Sequence, residues 1–278
     1  MKKLFLFLLL TSSIALAAKE YKRVVSLSPA VTEMICAIGA DNKLVARSNV
    51  CDYPQKIQKL PVAGSLGVPN IEKILILKSD LVVTDITNPQ SSWEILKRSG
   101  IKVVVLKSDT LSDYCRNITM LGELLGKKDE AAKECLRFKN RLSELSADKP
   151  DSPADVLLLF GMDPLVGCSK NCFADEVLSL AGAKNITRDF SKKYFVLSTE
   201  FVVQKNPKMV ILTGMSGDFR KYLLTIEAWK NLDFIRNKAI IDHIPQELIC
   251  RLSPRTPEGI KAVRDSVSAL KLKARSLK

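Results

Sequence analysis

Seven cysteines and a single histidine are the side chains through which this chain could do metal, redox or nucleophilic chemistry. The cysteines are Cys36, Cys51, Cys115, Cys135, Cys168, Cys172 and Cys250. Cys168-Ser-Lys-Asn-Cys172 has a spacing compatible with a metal knuckle, and thiolates suit thiophilic metals. In an oxidising compartment some of these thiols should pair, Cys168 with Cys172 being one expectation, and the odd number leaves at least one over. Cys135, amid apolar residues on a helix, reads as core packing. One histidine, His243, argues against a His-built zinc, iron or manganese centre. It would also have to be the base for any nucleophile at Cys51 or Cys250, and no orienting partner or local catalytic motif accompanies it. An exported Cys/His enzyme is thus the alternative reading, and a binding protein that performs no chemistry is the leading one.

Two carboxylates recur in matching surroundings. Asn70-Ile-Glu72 opens a short helical run that passes Lys78 and leads into the apolar strand Leu81-Val-Val-Thr84. Ser198-Thr-Glu200 opens another, which passes Lys205 and leads into Met209-Val-Ile-Leu-Thr213. Half the chain separates them. Two similarly built α/β lobes, each presenting one such carboxylate, would leave a cleft between them.

The elements needed to position these groups follow from the pattern. Residues 1–18 read as a cleaved secretory signal, with Lys2 and Lys3, the apolar run Leu4 to Leu10 and the small-x-small site Ala15-Leu-Ala17. The apolar run is shorter than the roughly 20 residues that span a bilayer, and no Cys follows it to carry a lipid. An exported, periplasmic, monomeric protein is expected. Arg23 to Leu27 reads as a strand. Ser28 is placed as the N-cap of the next helix, with Pro29 in its first turn and Glu33 favoured there by the helix dipole. Strands and helices then alternate, implying a largely parallel sheet covered on both faces. Ala131, Cys135, Phe138, Leu142 and Leu145 give a long helix one apolar stripe, ended by Lys149-Pro-Asp-Ser-Pro153. A second alternation follows. The expected division is a lobe over 19–126, a connector helix over 127–149 and a lobe over 150–278. The formal charge of +13 becomes about +11 without Lys2 and Lys3. Its basic residues are dispersed, with no arginine-rich block, so nucleic-acid binding is not expected.

Several segments together resemble the periplasmic solute-binding proteins of ABC importers for vitamin B12, haem and iron-siderophores, the B12 binders most of all. They are Arg23 to Glu33, Cys51-Asp-Tyr-Pro54, Asn70-Ile-Glu72, Lys78 to Val83, Phe160-Gly-Met-Asp-Pro164, Leu197-Ser-Thr-Glu200 and Arg251-Leu-Ser-Pro-Arg255. The resemblance implies a class III, helical-backbone architecture: two Rossmann-like α/β lobes joined by one rigid helix, closing little on ligand. It implies no resident cofactor, but a cobalt- or iron-containing chelate as the small-molecule ligand. Glu72 and Glu200 would dock to an inner-membrane permease dimer, since rim charges orient a partner. Tyr53, Leu66, Asp85, Met162, Tyr194, Arg251 and Arg255 would face the ligand. Leu66 and Asp85 stand where the B12 binders carry tryptophan, while Trp93 and Trp229 fall elsewhere in the pattern. Fewer aromatic walls point to a different or smaller ligand. By the same resemblance Cys51, Cys168, Cys172 and Cys250 fall on cleft loops, where they could hold a thiophilic metal or a metal complex. His243 could then be an axial ligand.

Overall fold

Two four-stranded parallel sheets are built to one plan. The computed structural model describes residues 19–276 apart from 86–89, 149, 151, 162 and 214–217. The expected signal and Met162 therefore lie outside the described residues. In the first sheet the spatial order is Leu44–Arg47, Val24–Ser26, Leu81–Thr84, Lys102–Val105. In the second it is Ala183–Asn185, Ala154–Leu159, Met209–Leu212, Ile240–Ile241. Counted in order of appearance within each sheet, both run second, first, third, fourth, and every neighbouring pair is parallel. The third strand of each ends at a buried threonine or just before one, Thr84 and Thr213. Sheets wound this way gather ligands beyond the carboxyl ends of their strands.

Alternation of side chains along each strand accounts for the two cores of the first lobe. Val24, Leu81 and Val83 face the larger core, which continues through both lobes and beneath Pro29–Ala37. Val25, Ala46 and Val82 face the other way, onto Trp93 and Leu96. A parallel sheet is stable only when both faces are covered in this way. Both tryptophans are core residues, Trp93 with 4% and Trp229 with 0% exposure.

The helix Lys128–Ala147 joins the two sheets and is held at both ends. Near its start it lies against Ser112–Leu124. Phe138 stacks on Tyr114 with ring centroids 3.9 Å apart, and the Tyr114 hydroxyl donates to Glu134 at 2.7 Å. Gly122 allows the close approach: a Cβ there would fall 2.5 Å from that of Ala131. Cys135 does not merely fill core space. It is bridged to Cys115 across this helix pair, with Cα atoms 5.1 Å apart. At the far end, Arg264 of the last helix, Thr256–Ser276, donates to the backbone oxygens of Leu145 and Leu180.

Local chemistry explains where elements start. Asn70 Oδ1 accepts from the Lys73 amide at 2.9 Å, and Ser198 Oγ from the Phe201 amide at 3.2 Å, so both capped helices begin with the same bond. Glu72 and Glu200 sit at the same position, two residues past the cap, and both are exposed. Ser28 holds the N-cap place before Pro29–Ala37, but its side chain makes no capping bond. Glu33 is not a solvated first-turn acid; it is buried at the junction of the lobes.

Candidate functional site

Loops at the carboxyl ends of both sheets enclose a cavity of about 470 Å³, a volume within the range of small-ligand pockets. The first lobe contributes Ser28, Asn49, Asp52, Leu66 and Asp85; the second contributes Gln246, Glu247, Cys250 and Arg251. The short helix Glu247–Cys250 forms the second-lobe wall. It can lie close to the last helix because Gly259 has no side chain: a Cβ there would come within 2.0 Å of the Leu248 carbonyl oxygen.

An ion cluster closes the lobes beside this cavity. Arg255 donates to both oxygens of Glu33, at 2.9 and 2.8 Å, and Arg251 reaches Glu33 Oε1 at 3.2 Å. Arg251 also grips Asp52 with two bonds, at 2.6 and 3.1 Å. The Glu33 side chain is 1% exposed and the two arginine side chains 17% each. Such a buried carboxylate is tolerated because both its oxygens accept charge-assisted bonds. Arg251 beside it holds the Asp52 carboxyl below the usual carboxylate range. The Arg255 guanidinium lies 4.1 Å above the Tyr53 ring. On the opposite side Lys193 of the second lobe pairs with Asp109 of the first at 2.6 Å, and Glu176 accepts from the Leu111 amide at 2.8 Å.

The expected site residues divide among these places. Leu66, Asp85 and Arg251 line the cavity. Tyr53 and Arg255 line an adjoining hollow of about 310 Å³ with Arg137 and Arg141 of the connector. Tyr194 packs edge-on to Phe160, and its hydroxyl accepts from the Cys172 thiol at 3.2 Å. Burial pushes Asp85 above the ordinary carboxylate range, opposed by hydrogen bonds from the Ser28 and Ser108 hydroxyls.

The four thiols expected to converge do so only in part: Cys168, Cys172 and Cys250 lie near enough to act on one another's ionisation. Cys51 lies in the first lobe, fully buried against Thr32 at 3.1 Å and Ser48 at 3.0 Å. Cys168 and Cys172 are buried together in the second lobe, both as free thiols, so the expected pairing of these two is replaced by Cys115–Cys135. Cys172 is drawn down to about 7 by its hydrogen bond with Cys168 and by the Tyr194 hydroxyl, while Cys168 is pushed up. Burial pushes the Cys250 thiol up to about 11. Among the described residues no group of three or more His, Cys, Asp or Glu side chains could hold a metal ion. His243 is exposed and bonds Ser266 at 3.1 Å, outside the set of cavity residues, so it is not placed as an axial ligand or as the partner of Cys51 or Cys250.

Glu33, Asp52 and the Gln246-Glu247 pair are the residues that sequence reasoning missed. Two signals pointed to the cluster. Glu33 interrupts an otherwise apolar helix, where a buried acid needs a cationic partner, and Arg251 and Arg255 are the arginines four residues apart that supply it.

Comparisons with known proteins agree with this architecture. A family model described as "Periplasmic binding protein" matches residues 24–247. A vitamin B12-binding protein of Pectobacterium atrosepticum is 32% identical over 222 residues, covering 76% of this chain and 80% of that protein. The uncharacterized ABC transporter substrate-binding lipoprotein YvrC of Bacillus subtilis is 27% identical over 258 residues, covering 90% and 81%. Among solved structures, the periplasmic vitamin B12 binding protein BtuF of Vibrio cholerae superposes with a TM-score of 0.77 at 25% identity, covering 90% of this chain and 98% of that one. The periplasmic heme-binding protein BhuT, in complex with two hemes, shares the fold with a TM-score of 0.81 at 21% identity, over 90% and 98%.

Proposed function

The chain belongs to the periplasmic binding protein family, and we propose that it is the solute-capturing subunit of an ABC importer, taking a cobalt- or iron-chelate ligand between its lobes. The observation that carries this reading is the cavity of about 470 Å³ at the carboxyl ends of both sheets, with walls from both lobes. A ligand there is bound by two bodies at once. The inter-lobe bonds from Arg251, Arg255 and Lys193 and the connector pinned at both ends favour a pocket that is largely pre-formed. Pre-organisation of this kind lowers the ordering cost of binding.

In this reading Glu72 and Glu200 are the docking charges, one per lobe, for the two copies of a membrane permease. Their support is positional: both stand two residues past a side-chain cap on a helix leading into the third strand of its sheet, and both are exposed. Export through the segment 1–18 puts the protein in the periplasm as a monomer. Calorimetric titration with cobalamin, paired with haem, tests the capture step; tight one-to-one binding of either is expected, and binding of neither cobalamin, haem nor a ferric siderophore refutes it. Reversing both Glu72 and Glu200 to lysine is expected to abolish ligand uptake in cells while leaving binding in the calorimeter unchanged. Normal uptake by that variant would remove the docking assignment alone.

A further inference from the structure

Cys168 and Cys172 stand together in the second lobe, and nothing in ligand capture uses them. Cys168 ends the strand Val166–Cys168, and Cys172 is the N-cap residue of the helix Phe173–Leu180. The turn between them is closed by the Cys172 amide, which donates to the Ser169 carbonyl at 3.1 Å, and by the Asn171 amide, which donates to Ser169 Oγ at 3.2 Å. Both cysteines have 0% exposure, both are free thiols, and the two side chains hydrogen-bond each other.

Their surroundings make the two sulfurs unlike. Tyr194 lies directly across the antiparallel strand pair from Cys168, and its hydroxyl meets the Cys172 sulfur at 3.2 Å. That hydroxyl donates once Cys172 is a thiolate. The bond with Cys168, the Tyr194 hydroxyl and the Lys193 charge draw the Cys172 thiol down to about 7. The same bond, burial and the nearby Asp175 push Cys168 up. One sulfur is thus a nucleophile near neutral pH, and the other keeps its proton. Cys250, on the cavity wall, is near enough to act on both. Its short helix packs on Phe173–Leu180, so the pair lies behind that wall.

We propose that Cys168 and Cys172 form an oxidation site for a small neutral hydroperoxide, with Cys172 as the attacking sulfur, Cys168 as the resolving one and Tyr194 as a positioning residue. Full burial excludes bulky disulfide oxidants, whereas a small uncharged peroxide needs only a slight local opening. The Cys172 thiolate attacks one peroxide oxygen and the O–O bond breaks. The sulfur becomes a sulfenic acid, and the departing hydroxide takes up the proton that Cys172 had released and leaves as water. Cys168 then attacks the Cys172 sulfur as the S–O bond breaks. Its proton goes to the departing hydroxyl, which leaves as a second water. Two thiols and one hydrogen peroxide give one disulfide and two waters. The pair is reduced in this structure, so the bridge is the product of oxidation and not the resting state. Bridging removes the thiol that Tyr194 bonds, next to the Lys193–Asp109 contact between the lobes.

The test uses the exported chain, reduced, freed of reductant and exposed to hydrogen peroxide at neutral pH. Remaining thiols are alkylated after unfolding and mapped by peptide mass. Cys168 and Cys172 are expected to disappear together, in a bridged peptide two hydrogens lighter. They should do so at least about 10-fold faster than Cys36 or Cys250, which hold far less thiolate because burial pushes them up to about 12 and about 11. Cys168→Ala is expected to stop with Cys172 one oxygen heavier. Tyr194→Phe removes a hydrogen bond to the thiolate and is expected to slow the pair about 10-fold. Thiols at both positions that survive while Cys36 or Cys250 is oxidised would overturn the proposal, as would a rate unmoved by Tyr194→Phe in folded protein. The importer function stands in either case, because capture does not depend on these thiols.

Discussion

Glu33→Ala takes away the anion on which the two lobes converge. The Glu33 side chain is 1% exposed and accepts three bonds from two arginines of the other lobe, at 2.8, 2.9 and 3.2 Å. Its loss leaves Arg255 stacked on Tyr53 with no acid partner, and Arg251 with Asp52 alone. Removing one partner of a buried ion pair costs about 3–5 kcal/mol, because the remaining charges stay desolvated. Glu33→Gln keeps an acceptor and loses only the charge, so a smaller loss of about 1.5–3 kcal/mol is expected, the worth of a hydrogen bond to a charged group. Urea unfolding monitored by circular dichroism gives both values from the shift of the midpoint at constant slope. A double-mutant cycle with Arg255→Ala isolates the pair, with a coupling of about 2 kcal/mol expected for groups in direct contact. A cost for Glu33→Ala below about 1 kcal/mol, or substitutions that add within about 0.5 kcal/mol, would refute the lobe-holding role of Glu33. Either result would mean that the arginines re-solvate freely and the cluster does not hold the lobes.

Other consequences concern the frame around the site. Replacing Cys115 and Cys135 by alanine opens a loop of sequence separation 20 and should lower unfolding free energy by about 3 kcal/mol, measured against wild type in the same denaturant without reductant; equal stability would show that the bridge does not form. Gly259→Ala places a Cβ 2.0 Å from the backbone oxygen of Leu248, so a loss of about 1–3 kcal/mol from overpacking should appear as a lowered Tm. The same substitution should weaken ligand binding, because it displaces the segment bearing Glu247 and Cys250; unchanged affinity with a lowered Tm would separate the two effects and refute the second. Small-angle scattering with and without ligand should show little compaction, since Arg251, Arg255, Lys193 and Glu176 already bond across the lobes and pre-organised backbones move about 1 Å or less on binding; a large compaction would refute the rigid-connector reading.

The chain's order of strands and helices was legible from periodicity because burial on both faces of a parallel sheet forces continuous apolar runs, as in Leu81–Thr84 and Met209–Leu212. The long helix was legible from its stripe, and it spans Lys128–Ala147. The matched positions of Glu72 and Glu200 were equally plain, because capping is local: Asn70 and Ser198 bond amides three residues ahead and need nothing from the rest of the fold. What depended on long-range contact was not legible. Cys115 pairs with Cys135 because two helices pack side by side, whereas the close spacing of Cys168 and Cys172 drew attention to two thiols that stay free. Arg251 and Arg255 were expected to meet a ligand, and the tertiary structure gives them to Glu33 and Asp52, more than 190 residues away. A charge's partner is set by three-dimensional proximity and by the need to compensate desolvation, neither of which is written in local sequence. That pairing, decided only by the fold, is what ties the two lobes together beside the cavity.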